Sequence, residues 1–358
     1  MRVVLSGYYG FDNVGDEAIL YSIIQALREE DATIEITVLS NQPEKTAETY
    51  GVDAVNRWKL GEVMTALRNA NGLISGGGSL LQDETGFKSI PYYTGIIKMA
   101  QILGKPVFVY AQGMGPINKG FSRKIVKSVL KGTQITVRDR ASLELLREIG
   151  IKKEIDIVPD PVLGISLSTQ ESTWWDQQSF FGPVITVSVR DWPSSIDFKK
   201  KIAEGLDLAA DAGASIVFVP MHGEHDDKAS RELASLMKNN SYIAPFDASI
   251  EEKIIIIGKS NLLVGMRLHA LIFSGVMETP FIALSYDPKI DAFADISGQP
   301  VAGHVNEEGW DGNLLYEMIR SKLDQESEEV GKLKAKITPL REKAQETARK
   351  AIQYFKSY

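Results

Sequence analysis

The chain has 358 residues, 44% hydrophobic and 24% charged, with a formal net charge of -7. That length predicts two domains of roughly 150–180 residues rather than one core, and the acidic balance argues against broad nucleic-acid binding. Cysteine is absent, which excludes thiol catalysis, iron–sulfur clusters and disulfides; without a signal-peptide pattern or an apolar stretch near the ~20 residues of a membrane span, a cytoplasmic protein is expected.

Apolar runs alternate with helix-length amphipathic segments. Val3–Ser6 reads as a short strand; Asp16–Glu30 follows with Ile19, Ile23, Ala26 and Leu27 at helical spacing, and Ile34–Leu39 is the next strand. Gly72–Ser75, Pro106–Ala111 and Gln134–Arg138 repeat the pattern, with helices near 91–103, 121–131 and 140–149 between them. Strands separated by helices call for right-handed crossovers and a parallel sheet. The rhythm breaks at Pro159–Gly182, where Pro159-Asp160-Pro161 and the polar, aromatic stretch Ser166–Phe181 mark a linker. It resumes with Val184–Val189, a helix over 196–212, Ser215–Val219 and a helix over 226–239. Ser249 and Glu252 form a capping-box pattern; the Ile254–Ile257 run behind it predicts a buried helix, and Pro280–Leu284 is the next strand. These signals give domains at 1–165 and 183–325 and a helical tail at 326–358. Residues 331–358 carry eight Lys or Arg against two Glu. Thr338-Pro339 predicts a helix start, with Thr as cap and Pro in the first turn. The basic excess reads as a solvated helix packed on the body, with contact to anionic lipid as the second reading.

The residues that carry chemistry cluster at strand ends. Asn-Leu-Leu-Val-Gly-Met-Arg-Leu-His-Ala, residues 261–270, ends an apolar run with Arg267 and His269. In an open α/β sheet, ligands bind at the carboxyl ends of strands, where helix N-termini favour anions. Arg190 and His222 close two other predicted strands in the same domain, so Arg190, His222, Arg267 and His269 share one expected edge. A pairing of Arg267 with a nearby acid is the structural alternative. In the first half, Gly7–Glu17 is neither a Gly-x-Gly-x-x-Gly fingerprint nor a P-loop. Its Asp12, Asn13, Asp16 and Glu17 have the wrong sign for cradling phosphate and suit sugar hydroxyls, or else cap the helix. Gly76-Gly77-Gly78-Ser79 and Gln112–Pro116 also follow strands, and consecutive glycines point to close approach of a ligand or the other domain. His222-x-x-His225 lacks a supporting ligand set, so no metal is expected.

Taken together, Gly7–Glu17, Gly76–Ser79, Gln112–Pro116, Val137–Ser142, Pro159–Pro161 and above all Gly265–Ala270 resemble the polysaccharide pyruvyl transferase family. The likeness runs over about residues 1–325 and is nearest to the cell-surface-anchoring type of S-layer-building Gram-positive bacteria. It implies an α/β, glycosyltransferase-B-like fold of two Rossmann-like, doubly wound domains. It implies transfer of a pyruvyl group from phosphoenolpyruvate to a sugar as a 4,6-ketal, releasing phosphate. The implied acceptor is a lipid-linked disaccharide containing N-acetylmannosamine. The resemblance puts Arg267 and His269 at the donor, with Arg190, His222 and Lys289 as further contacts. On the acceptor side it implies Asp12, with Asn13, Glu17, Gly77, Gly78 and Arg138. His269, Arg267 and Asp12 are the expected catalytic groups. No cofactor, metal or nucleic acid is called for; peripheral contact with the inner face of a membrane is compatible with a lipid-linked acceptor. A nucleotide-sugar glycosyltransferase of the same fold is the rival. Glu224 and Glu232 match a Glu-x7-Glu spacing seen in some of those enzymes, which reads as chance.

Overall fold

Runs of β-branched and aliphatic residues buried on both faces make parallel strands, because helices cover each side of the sheet. The computed structural model describes residues 1–83, 88–167, 169 and 171–358. Ser168 and Gln170, within the expected linker 159–182, lie outside the described residues. The chain divides into one unit of Met1–Ile165 with Leu340–Tyr358 and a second of Ser166–Pro339.

The first unit contains strands β1 (Arg2–Tyr9), β2 (Glu35–Ser40), β3 (Asp53–Asn56), β4 (Gly72–Ser75), β5 (Gly78–Leu81), β6 (Val107–Met114), β7 (Gln134–Val137) and β8 (Asp156–Ile157). Its helices are α1 (Val14–Glu30), α2 (Pro43–Tyr50), α3 (Leu60–Asn69), α4 (Ser89–Ile102), α5 (Gly120–Leu130) and α6 (Arg140–Ile149). The strands run in the order β3-β2-β1-β4-β6-β7-β8, with β5 paired to β6. Order reverses between β1 and β4, where Ser6 lies opposite Ser75. α1 starts at Val14 because the Asn13 side chain accepts the Gly15 N–H at 3.1 Å; Asp16 and Glu17 in its first turn suit the helix dipole.

Two expected turns are strand instead. β1 runs on to Tyr9 and β6 to Met114, so Gly7 and Gln112–Met114 belong to the sheet. Their continuation was hidden because glycine breaks the apolar pattern while the neighbouring strands still supply partners.

The second unit contains α7 (Thr173–Asp176), β9 (Val184–Ser188), α8 (Phe198–Asp211), β10 (Ser215–Phe218), α9 (Gly223–Leu236), β11 (Tyr242–Ile243), α10 (Ile250–Gly258), β12 (Leu262–Gly265), α11 (Leu268–Val276), β13 (Phe281–Ser285), α12 (Pro288–Ser297), β14 (Val301–His304) and α13 (Gly312–Asp324). The strand order is β11-β10-β9-β12-β13-β14, and all recorded pairings are parallel. Order again reverses between two central strands, with Ser188 opposite Gly265. The Ile254–Ile257 run is helical and buried, as its charged lead-in suggests. Only half of the capping box forms: the Ser249 hydroxyl accepts the Glu252 N–H at 3.1 Å, while the Glu252 carboxylate accepts from the Ser172 hydroxyl at 2.6 Å.

The last helix, α14 (Glu326–Ser357), passes straight through Pro339. Thr338 therefore does not start a helix; its hydroxyl donates to the Lys334 carbonyl at 2.9 Å. Buried Leu333, Ile337, Ala344, Ala348, Ala351 and Phe355 form an apolar series at helical spacing, and that packing outweighs the one hydrogen bond a proline removes. The helix is shared: Glu326–Pro339 belongs to the second unit and Leu340–Ser357 to the first. Several of its cations pair with acids. Lys334 pairs with Glu278 at 2.9 Å, Arg349 with Glu30 at 3.0 Å and Lys350 with Asp156 at 2.7 Å.

Candidate active site

In the second unit, four adjacent strands, β10-β9-β12-β13, deliver side chains at their carboxyl ends. His222 caps α9 after β10, Arg190 follows β9, Arg267 caps α11 after β12, and Tyr286 and Lys289 follow β13. The central pair, β9 and β12, is the switch point at which such sheets bind ligands.

Arg267 is anchored. Its Nε donates to Asp226 Oδ2 at 2.8 Å and its Nη2 to Asp226 Oδ1, a two-pronged ion pair. Asp226 is only 1% exposed and also accepts the Met221 N–H at 3.2 Å. The pairing with an acid thus occurs, but it uses one edge of the guanidinium; among the described residues Nη1 makes no hydrogen bond. Arg190 is pinned differently. Its Nη1 donates to the Tyr286 hydroxyl at 2.9 Å, and its guanidinium lies 4.8 Å from the Tyr286 ring centre and 5.2 Å from that of Trp192. Cation–π contact of this kind holds charge without cancelling it.

His222 shares the electrostatic neighbourhood of both arginines. Burial holds its imidazole below the ordinary value, and the Arg267 charge adds to this, against a smaller opposing pull from Asp226; His225 and Arg190 depress it further. His269 lies in the first turn of α11, partly buried. Lys289 Nζ pairs with Asp287 at 3.1 Å and stays exposed to solvent.

Lys253 was not foreseen. It is wholly buried on α10, and its Nζ donates to the Pro220 carbonyl at 2.9 Å and the Phe246 carbonyl at 2.6 Å. Burial pulls its pKa down to about 8, opposed by the charges of Asp226 and Asp247. It fixes the turn that leads into Met221 and His222. Its signal was a lysine directly before four isoleucines, where an exposed residue would break the buried face.

In the first unit the expected residues separate into distinct roles. Asp12 has a positive φ of 57°. Its exposed carboxylate pairs with Lys45 at 2.7 Å; that hydrogen bond, and a weaker one from Gln42, hold it below the usual carboxylate range. Asn13 caps α1. Glu17 accepts the Gly10 N–H at 2.7 Å and the Tyr50 hydroxyl at 2.8 Å, and burial raises its carboxyl. The glycine triplet serves packing within the unit. A Cβ on Gly76 would sit 2.0 Å from the Tyr9 hydroxyl, and one on Gly77 2.9 Å from Ile19. Gly78 adopts φ 83° at the start of β5. Arg138 reaches from the end of β7 across Gly113 to the Ser79 hydroxyl at 3.1 Å and Asp160 at 3.5 Å. Arg57, also unforeseen, is buried; it donates to the Gly7 carbonyl at 2.8 Å and lies 4.4 Å from the Tyr92 ring centre.

Sheets of this order, with anion-suited side chains at the strand ends, define the glycosyltransferase-B-like class built from Rossmann-like units. Solved structures of that fold align over nearly the whole chain. Anabaena Alr3699/HepE, solved with UDP-glucose, gives a TM-score of 0.64 at 10% identity, covering 100% of both chains. UDP-GlcNAc 2-epimerase from Neisseria meningitidis, bound to UDP-GlcNAc, gives 0.63 at 12% identity over 99% of each. E. coli ADP-heptose LPS heptosyltransferase II gives 0.55 at 15% identity, covering 91% of this chain and 100% of that one. At these identities the likeness establishes the fold alone. The chain belongs to the polysaccharide pyruvyl transferase family, whose model matches residues 13–288. It is 21% identical to the amylovoran biosynthesis protein AmsJ of Erwinia amylovora, over 94% of this chain and 98% of that protein.

Proposed function

We propose that this transferase moves the pyruvyl group of phosphoenolpyruvate onto a sugar diol as a 4,6-ketal and releases phosphate. The observation that carries the reading is the convergence of Arg190, His222 and Arg267 on one strand edge of the second unit, two of them held by partners that leave part of each guanidinium available. Phosphoenolpyruvate brings a phosphate and a carboxylate, and forked cations bind both. In this reading Arg190, the outer edge of Arg267, His222 and Lys289 hold the donor. His269 delivers a proton to C3 of the enol, leaving a cationic C2. One sugar hydroxyl adds at C2, phosphate departs, and the second hydroxyl closes the ring. Of the two hydroxyl protons, one restores His269, whose own proton is now in the new methyl group, and one leaves with phosphate.

On the acceptor side we assign Asp12, kept ionised by Lys45, to a sugar hydroxyl, with Arg138 as a further contact. Asn13 and Glu17 then shape the turn that presents Asp12, while Gly77 and Gly78 let the β4–β5 connection pack closely on Ile19 and Asp16 of α1. The acceptor we favour is a lipid-linked, N-acetylmannosamine-containing disaccharide, as in the cell-surface-anchoring (CsaB) type that prepares a wall polymer for S-layer proteins. The test is incubation with phosphoenolpyruvate and a panel of lipid-linked disaccharides. The expected result is a mass gain of one pyruvyl ketal with equimolar phosphate. A glycosidic product with released nucleotide, from a nucleotide-sugar donor, overturns the reading.

A further inference from the structure

Between Lys88 and Arg138 the chain carries nine Lys or Arg and no Asp or Glu, although acidic residues outnumber basic ones 47 to 40 overall. Much of that charge lies on α5 and the residues that flank it. Phe121, Lys124, Ser128 and Lys131, spaced three and four apart, share the solvent face, while Ser122, Val126, Val129 and Leu130 are buried. Lys127 flanks the same stripe. α4 lies alongside, tied by the Gln101 side-chain amide to the Val129 carbonyl at 2.7 Å. It too lacks acidic residues and shows Lys98 and Ile102 to solvent.

Two features separate this face from an ordinary solvated one. Among the described residues Lys124, Lys127 and Lys131 form no ion pair; the one contact to an acid on α5 is Arg123 to Glu148 at 3.8 Å. Lys332, Lys334, Arg349 and Lys350 of α14, by contrast, pair with acids within the fold. Beside the unmatched lysines, Phe121 is 76% exposed and Ile102 at the end of α4 is 75% exposed. Lysines attract an anionic surface, and a protruding phenylalanine gains by entering the headgroup boundary; a dissolved polyanion satisfies the first and leaves the second in water.

We infer that the outer face of α5, continued onto the end of α4, docks on a bilayer surface rich in anionic phospholipid. This face is distinct from the basic tail. Such docking goes beyond the pyruvyl-transfer reading and does not depend on it.

The test is co-sedimentation of the full chain with phosphatidylcholine vesicles, with and without about one third phosphatidylglycerol. Binding is expected to the anionic vesicles and to fall with added salt. The pair Lys124→Glu with Lys131→Glu should lower partitioning at least about a hundredfold, and Phe121→Ala by roughly three- to tenfold. Both variants change exposed side chains, so their melting temperatures should match the parent. Equal binding of the parent to neutral and anionic vesicles overturns the inference, as does undiminished binding of the charge-reversed pair. So does binding to a DNA oligonucleotide without binding to vesicles. Because the readout is partitioning, loss of this inference leaves the donor chemistry standing, and absence of pyruvyl transfer leaves vesicle binding to be judged by itself.

Discussion

Asp226 holds Arg267 in place, and Asp226→Asn measures how firmly. Removing one partner of a buried ion pair costs about 3–5 kcal/mol, because a charge is left without compensation. Here the cost is lower. The Arg267 side chain is 17% exposed, so water reaches it, and an amide oxygen in the place of Oδ2 keeps the hydrogen bonds of both Arg267 Nε and the Met221 N–H. The other position turns from acceptor to donor and faces the guanidinium. About 2–3 kcal/mol is the resulting expectation. A unit of this size loses about 2–4 °C per kcal/mol, so the melting temperature should fall by roughly 5–10 °C. The assay is thermal unfolding with and without inorganic phosphate. An anion can then take the place of the missing carboxylate, so phosphate should raise the variant's melting temperature more than the parent's. A variant that melts within about 1 °C of the parent, with the same response to phosphate, refutes the reasoning. Arg267 would then owe its position to the backbone at the start of α11.

His269→Gln should keep the fold and lose about 10²–10⁴ in turnover; collapse of donor affinity with turnover at saturation preserved would make His269 a binding group. Asp12→Asn should raise the apparent acceptor constant and leave donor affinity nearly unchanged, while stability shifts by at most about 1 kcal/mol because the Lys45 pair is exposed. A large change in donor affinity alone would move Asp12 to the donor. Lys253 predicts a pH effect on stability. Burial lowers it to about 8 from 10.5, so within that interval the unfolded chain keeps a proton that the folded chain has released. Its contribution therefore rises with pH from 8 to 10.5 and is flat below 8. Against Lys253→Met, the parent should gain about 2–3 kcal/mol across that interval in paired denaturant titrations; parallel curves would rule this out.

The alternation of strand and helix was legible because a parallel sheet buried on both faces writes itself as continuous apolar runs. The strand edge bearing Arg190, His222 and Arg267 was legible for the same reason: each residue stands just past such a run. What the pattern hid were partners distant in sequence. Asp226 lies 41 residues before Arg267, on a helix whose acidic first turn suggests only dipole matching. Tyr286 meets Arg190 across 96 residues. The glycine triplet was visible, but its occupant, the Tyr9 hydroxyl, came from a residue that looked like part of a turn. Pro339 misled because a local stop signal was weighed without the apolar series on either side of it.

The structural and the chemical readings of the strand-end residues are compatible, and the geometry indicates how. A cation that binds an anionic donor must be held before the donor arrives, or the ordering cost falls on binding. Arg267 is held by the one edge of its guanidinium that Asp226 occupies, and Arg190 by ring faces and a hydroxyl that add no opposing charge. The Pro220–His222 turn is held from beneath by a buried ammonium that touches only carbonyl oxygens. Arg267 thus has its charge matched and one edge exposed, whereas Arg190 keeps its charge whole. In the proposed reaction this divides the labour: Arg190 supplies most of the attraction for the donor, and Arg267 supplies direction. His222, its pKa lowered by burial and by the charge of Arg267, is assigned in the proposed reaction to hydrogen bonding, and the proton for C3 to His269.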